Sequence, residues 1–290
     1  MIYSNFDILD KPWWKLPFDE RNNEFLIKQS LYFKQLIKDS INQNDKILWD
    51  GYVILHREKY LLECVSTENN IDYKKLEIIL VKSWFFDIFI QEKDRRVARK
   101  IRNLHSVIKK IFPSIFFPEL SINEFTPKLA INIHKEIGKG IIENVGEYRK
   151  KLTMAAEDNF IYMSPGLIEE SMNKLFKSTR EKFEKEELEL EEVVKYGACF
   201  FSKFLLIHPF MNGNGRVARI LLSYILSKYT IVPLSLYSGM KTRDIYLQCL
   251  REAQWYKKSN EPSALARYIL ECIYKTLYNI CVVMDIDIKY

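Results

Sequence analysis

His208-Pro209-Phe210-Met211-Asn212-Gly213-Asn214-Gly215-Arg216-Val217-Ala218-Arg219 is the stretch on which the reading of this chain turns. Upstream of it Tyr196, Cys199, Phe200, Phe204 and Ile207 recur at helical spacing, and downstream Val217, Ile220, Leu221, Tyr224 and Ile225 do the same. Pro209 cannot continue the incoming helix and biases the residue before it away from helical backbone, so His208 falls at the junction. Gly213 and Gly215 permit backbone angles that other residues resist. A Gly-x-Gly turn feeding a helix aims several N–H groups at one point, and the helix dipole adds partial positive charge there, which makes a nest for an anion. Arg216 and Arg219 share a face of the first turns and offer forked donors to phosphate oxygens. A neutral imidazole accepts a proton from a hydroxyl. The implied chemistry is attack of a hydroxyl on phosphorus held in the nest, with pyrophosphate leaving, driven by positioning and charge neutralisation.

Working outward, helical periodicity is seen over Asn22–Ile41, while Lys46–Val65 is ambiguous and Tyr73–Gln91 reads as a buried helix. Val97, Ile101, Leu104, Ile108 and Ile111 mark one face of an amphipathic helix that ends before Pro113, with Arg95, Arg96, Arg99, Lys100 and Arg102 on the other face, expected to be ordinary surface. Pro113–Pro118 is the candidate linker between an N-terminal, mostly helical region of unknown role (1–115) and a second domain (116–290). Ser121 with Glu124 three residues on reads as a capping box opening a helix to Gly138. Tyr148–Tyr162, centred on the turn-like Ala156–Asn159, reads as a short hairpin. Pro165 then opens a helix with Leu167, Ile168, Met172, Leu175 and Phe176 inward, the acidic tract Glu181–Glu192 starts the next, and Lys241–Trp255 and Ser263–Met284 supply two more. The expected class is all-α with one small β-hairpin.

Composition agrees. In 290 residues only nine Gly and nine Pro occur, which favours long helices over a many-turned β fold. A net charge of +6 permits a polyphosphate ligand without requiring one. The five cysteines show no CxxC spacing and read as reduced thiols. No stretch reads as a membrane span, and Met1–Asp10 lacks the basic-then-apolar pattern of a Sec signal, so a cytoplasmic location is expected; export into a host cell through a dedicated secretion system leaves no signal of this kind. There is no GxxxxGK[ST] loop and no HExxH, and the GxG lacks the preceding strand and third glycine of a dinucleotide fold. Nucleic acid is not an expected partner, because aromatic or groove-reading companions to the basic face are not identifiable. His105 and His134 sit in helical pattern as structural residues, His56 has no visible partner, and Trp13, Trp14, Trp49 and Trp84 are expected in the core.

The stretch His208–Arg219 resembles the signature of the Fic (Fido) family, HPFx[D/E]GN[G/K]RxxR, and Gly146-Glu147-Tyr148-Arg149 resembles that family's lead-in to a flap hairpin. The resemblance covers about Ser121–Leu270. It implies a Fic-type helical core with a hairpin flap, and a protein adenylyltransferase that moves AMP from ATP to a Ser, Thr or Tyr hydroxyl of a target protein. By position, His208 would be the general base. Gly213, Asn214, Gly215, Arg216 and Arg219 would hold the nucleotide, with Arg219 on the outer phosphates or bracing the loop, and Phe210 would anchor the loop in the core. Lys151, Leu152, Thr153 and Met154 would dock an extended target segment by strand addition. Two departures stand out. The family's acidic Mg2+ ligand is Asn212 here, a neutral candidate for the same place, so weakened metal-dependent activity is expected. The family's inhibitory motif [S/T]-x-x-x-E-[G/N] is absent; an external inhibitory protein, a divergent segment within Met1–Phe112, and no such control all stay open. A silent nucleotide- or protein-binding module, and a relative moving phosphate or phosphocholine, are the alternatives; Gly215 follows the nucleotidyl form of the signature rather than the Lys of the phosphate-transferring form.

Overall fold

A computed structural model describes residues 6–16, 19–43, 46–69, 73–85, 91–155, 160–184, 188–237, 240–255 and 261–288. The helices are α1 (Asn23–Gln43), α2 (Lys46–Asn69), α3 (Tyr73–Phe85), α4 (Glu92–Ile111), α5 (Pro127–Gly138), α6 (Ile168–Phe183), α7 (Leu190–Ile207), α8 (Asn214–Ile225), α9 (Met240–Trp255) and α10 (Ser263–Val283). Two short antiparallel strands, β1 (Met154–Ala155) and β2 (Phe160–Ile161), pair Met154 with Ile161 and Ala155 with Phe160. Among the described residues the fold is therefore all-α with one hairpin, and the turn Ala156–Asn159 expected at its centre lies outside them. No helix among the described residues is long and apolar enough to cross a membrane.

Helix α7 is the central post. Val193, Val194, Ala198, Phe200, Phe201 and Phe204 are fully buried on it, and α6, α8, α9 and α10 pack around them. The ambiguous segment from Lys46 is helical throughout, and α2 packs on α3 and α4. On α4, Ile101, Leu104 and Ile108 are fully buried, as the four–three spacing predicts. Pro113–Pro118 is itself packed: Ile115 and Phe117 are buried, Val232 N–H donates to the Ile115 carbonyl at 2.9 Å, and Phe116 bridges to Ile231. The N-terminal segment closes on α10, where the fully buried Arg267 guanidinium binds Glu271 at 2.8 Å, Asn23 at 2.7 Å and the Arg21 carbonyl at 2.6 Å.

Several local expectations are corrected. Ser121 and Glu124 form no capping box; Ser121 precedes a single 3-10 turn that ends at Glu124, and the helix starts at Pro127 with Thr126 before it. Proline has no N–H to give, and its ring clashes with the carbonyl four residues back, so a helix can begin there but not run through it. The box that does form is Glu189 with Glu192 at the start of α7. The acidic tract is thus split, its first residues ending α6 rather than starting α7. Leu167 and Trp13 are exposed, Trp49 is buried and Trp14 is half-buried. The side chain of Trp84 lies outside the described residues. His56 does find a partner, the Pro233 carbonyl at 3.1 Å. Cys64, Cys199, Cys249, Cys272 and Cys281 are all free thiols.

Candidate active site at the α7–α8 junction

Helix α7 stops at Ile207, and His208 takes a left-handed conformation (φ 50°) with its N–H still bonded to Phe204 O at 3.0 Å. That bend throws the imidazole out of the helix line and into a cleft of about 620 Å³. One ring nitrogen donates to the Leu205 carbonyl, which leaves the other to accept a proton. Burial and then the neighbouring Arg149 guanidinium push the imidazole's pKa down from 6.5 to about 4, so it is neutral at pH 7. The ring lies face to face with Tyr162 from the far side of the flap.

The loop that follows is braced internally. The Asn214 carboxamide is buried and closes a ring on Phe210, accepting its N–H at 3.0 Å and donating to its carbonyl at 2.7 Å. The Phe210 ring is fully buried and stacks on His134 at 3.9 Å. His134 in turn accepts the Gly146 N–H on Nδ1 at 2.8 Å, so its proton sits on Nε2 and is donated to the Asn212 carbonyl at 3.1 Å. The side chains of His134 and Asn214 thus shape the loop, and what Asn214 presents at the head of α8 is its backbone.

Gly213 caps α8 with φ 81°, a conformation that a side chain would strain. Gly215 lies against the Arg219 guanidinium, where a Cβ would come within 3.3 Å of Nη1. Gly213, Asn214, Gly215 and Arg216 all line the cleft, and the first-turn N–H groups of a helix have no partner within it. Arg216 and Arg219 are buried side chains that also reach this cleft. Arg219 sits 5.3 Å over the Tyr237 ring and hydrogen-bonds Tyr246.

Thr153 and Met154 line the same cleft, and Tyr162 N–H donates to the Thr153 carbonyl at 3.0 Å. Lys151 instead lines an adjoining hollow of about 540 Å³ that shares Arg96, Met211 and Asn212 with the cleft. Leu152 lines neither and faces solvent, 67% exposed.

Some residues here carried no assigned role in the sequence reading. Arg149, buried, donates to the carbonyls of His208 (2.7 Å), Ile207 (3.3 Å), Lys151 (2.9 Å) and Met163, tying both ends of the flap to the end of α7. Its place in the Gly-Glu-Tyr-Arg lead-in was the available signal. Tyr162, Tyr237, Arg243 and Tyr246 had none, because only the folded chain brings them to the junction. The basic face of α4 is surface as expected at Arg95, Arg96 and Arg99, and Arg96 with the half-buried Lys100 also lines the cleft.

A protein-held Mg2+ does not fit these residues. Asn212 is neutral, and its Oδ1 already accepts the Gly213 N–H at 2.7 Å. No carboxylate among the described residues lines the cleft, whereas Arg96, Lys100, Arg216, Arg219 and Arg243 do; Glu143 and Glu147 line the adjoining hollow, where Glu147 pairs with Lys150 at 3.5 Å. Nor does any group of three or more His, Cys, Asp or Glu among the described residues form a metal cluster.

A model of the Fic/DOC family matches residues 124–226. A Fido domain-containing protein of Dictyostelium discoideum is 35% identical over 136 residues, covering 46% of this chain and 88% of that protein. A probable protein adenylyltransferase of Aquifex aeolicus is 41% identical over 63 residues, 22% of this chain and 18% of that protein. Among solved structures, a Fic domain-containing signaling protein from Bacteroides thetaiotaomicron superposes with a TM-score of 0.70 at 16% identity, covering 91% of this chain and all of that one. A Fic family protein from Desulfovibrio desulfuricans gives 0.63 at 14%, covering 97% and 79%. At these identities the structures speak to fold alone.

Proposed function

The chain belongs to the Fic/DOC family, and from that premise we propose that it is a nucleotidyltransferase moving AMP from ATP to a Ser, Thr or Tyr hydroxyl of a target protein. The observation that carries this is the meeting of a neutral imidazole, His208, with the N-terminus of α8 and Arg216 in one cleft. The similarity to a probable protein adenylyltransferase over 63 residues supports the same class.

In this reading the target hydroxyl hands its proton to the open nitrogen of His208 as its oxygen bonds to the α-phosphorus. The bond from that phosphorus to the bridging oxygen breaks, and pyrophosphate leaves with the electron pair. The α8 amides and Arg216 hold the phosphates and take up the charge that moves onto the leaving group. Tyr162 and Arg149 act by positioning: one covers the face of the base, and the other fixes the strand ends and the carbonyls beside it. A target segment laid along the exposed Leu152–Met154 edge would bring its hydroxyl to His208.

The test is incubation with ATP, GTP, CTP or UTP labelled in the α-phosphate, in lysate, with His208→Ala beside the wild type. Label on a protein band from ATP, lost in the variant, with a mass increase equal to AMP, is the expected result. Equal label in both would remove His208 as the base, and no label from any nucleotide would leave a binding module in place of an enzyme.

A further inference from the structure

The cations of the cleft are unevenly sourced. Arg216 and Arg219 come from α8, but Arg96 and Lys100 come from α4, outside the segment that matches the family model, and Arg243 comes from α9. We infer that Arg96 and Lys100 form a polyphosphate-binding subsite that neutralises the nucleotide's phosphate tail in a cleft that no carboxylate among the described residues lines. The inference rests on the nucleotide reading of this cleft and deepens it.

Position is the first argument. Arg96 and Lys100 are four residues apart and so lie one above the other on a single helix face. Behind them the buried Val97 and Ile101 seat α4 in the core. Beside them Asn103 Nδ2 donates to the carbonyls of Ile137 at 3.3 Å and Lys139 at 2.9 Å, and Arg99 Nη1 to Gly140 O at 3.2 Å. These bonds clamp α4 to the turn after α5. That turn reaches the signature loop directly, since Ile142 Cδ1 stands 3.3 Å from where a Cβ on Gly213 would be. The α4 cations are therefore held at the side of the cleft where Asn212 lies, and Arg96 borders both the cleft and the adjoining hollow together with Asn212.

Charge is the second argument. On the cleft side a divalent ion brought to Asn212 would meet a neutral amide whose oxygen is engaged, and guanidinium and ammonium groups; the carboxylates of Glu143 and Glu147 border the adjoining hollow instead, and Glu147 is paired with Lys150 at 3.5 Å. A phosphate chain would meet the opposite: side chains of its own counter-charge, two of them on a rigid helix. Guanidinium forks and an ammonium are suited to phosphate oxygens.

Binding of inorganic tripolyphosphate, followed by calorimetry in EDTA and again with Mg2+, tests this without requiring any transfer. The wild type should bind it in EDTA, with no gain on adding Mg2+. The Arg96→Ala/Lys100→Ala double variant should bind about tenfold or more weakly, in line with the loss of charge-assisted hydrogen bonds. Arg95→Ala removes one cation of the same helix face away from the cleft and should bind as the wild type does. Binding that appears only with Mg2+, or that is equal in the double variant and wild type, overturns the inference. Nucleotide transfer is scored separately on the same proteins. Tripolyphosphate binding lost in the double variant, with no transfer by the wild type, would keep the subsite and discard the transferase. Transfer that is normal and demands Mg2+ in both proteins would do the reverse.

Discussion

The imidazole of His208 and the phenol ring of Tyr162 lie face to face, their centroids 3.8 Å apart and their planes 20° from parallel. The base projects from the end of α7 and its cover from the end of the flap, so the flap that would receive a target segment also sets the environment of the group that would deprotonate it. The stack removes water from one face of the imidazole, and burial is the chief cause of its lowered pKa. Tyr162→Ala should therefore raise the His208 pKa from about 4 toward 6.5, read by NMR titration of the ring, and slow AMP transfer by about tenfold through loss of positioning. Tyr162→Phe keeps the stack and should stay within about twofold of the wild type. An unchanged titration in Tyr162→Ala would show that the flap does not govern the base.

Asn212→Asp places a carboxylate beside the phosphate cradle. Without metal it should repel a polyanion, so tripolyphosphate affinity in EDTA should fall about tenfold. With Mg2+ the new carboxylate gains a partner, affinity should return, and transfer should become faster and more metal-dependent than in the wild type. If Mg2+ titrations of transfer superpose for the two proteins, position 212 does not control metal use.

Asn214 argues for a different kind of effect. Both ends of its carboxamide are spent on the Phe210 backbone inside the protein. Asn214→Ala would leave a buried N–H and a buried C=O without this partner, at about 2–4 kcal/mol together. For a chain of this size that is a fall in Tm of roughly 3–7 °C. Calorimetry showing no change would mean that the loop is held by the His134–Phe210 stack alone.

The sequence made some of this legible and hid the rest for identifiable reasons. The junction could be read because Pro209, Gly213 and Gly215 act on the backbone locally: each restricts or frees dihedral angles wherever it stands. The α4 stripe could be read because a helix has one period. The start of α5 departs from the capping pattern because Ser121 and Glu124 have the right types and spacing, yet Pro127 resets the helix three residues later. Asn214 stands at a nucleotide-binding position of the motif, and only the folded loop shows its amide turned inward onto Phe210 while the residue still lines the cleft. Arg149 had a signal in its Gly-Glu-Tyr-Arg segment, but Tyr162, Arg96 and Lys100 are brought to the site by tertiary packing, and no pattern in their own segments encodes where a cleft opens.

The four histidines make the last prediction, since each has its pKa lowered to about 4. Burial is the main cause throughout. Nearby cations add to it: Lys59 and Arg57 at His56, Lys109 and Arg57 at His105, Arg216 at His134, and Arg149 at His208. In the unfolded chain they titrate near 6.5. Between pH 6.5 and 4 the unfolded state therefore binds more protons than the native state, and stability falls as the pH drops through this window. Glu63 acts in the opposite sense. Burial lifts its carboxyl to about 7 against the Ser235 hydroxyl and the Lys59 and Arg219 charges, so the native state keeps a proton that the unfolded state releases above about 4.5. Four groups against one leave a net uptake of about two to three protons on unfolding near pH 5. Urea unfolding at pH 7, 6 and 5 should show a midpoint that moves steadily lower. Glu63→Gln removes the opposing group and should steepen the decline, whereas His56→Gln should make it shallower by about one proton. A midpoint independent of pH between 7 and 5 would mean that these imidazoles reach solvent in the native protein, and with them the base at the head of the cleft.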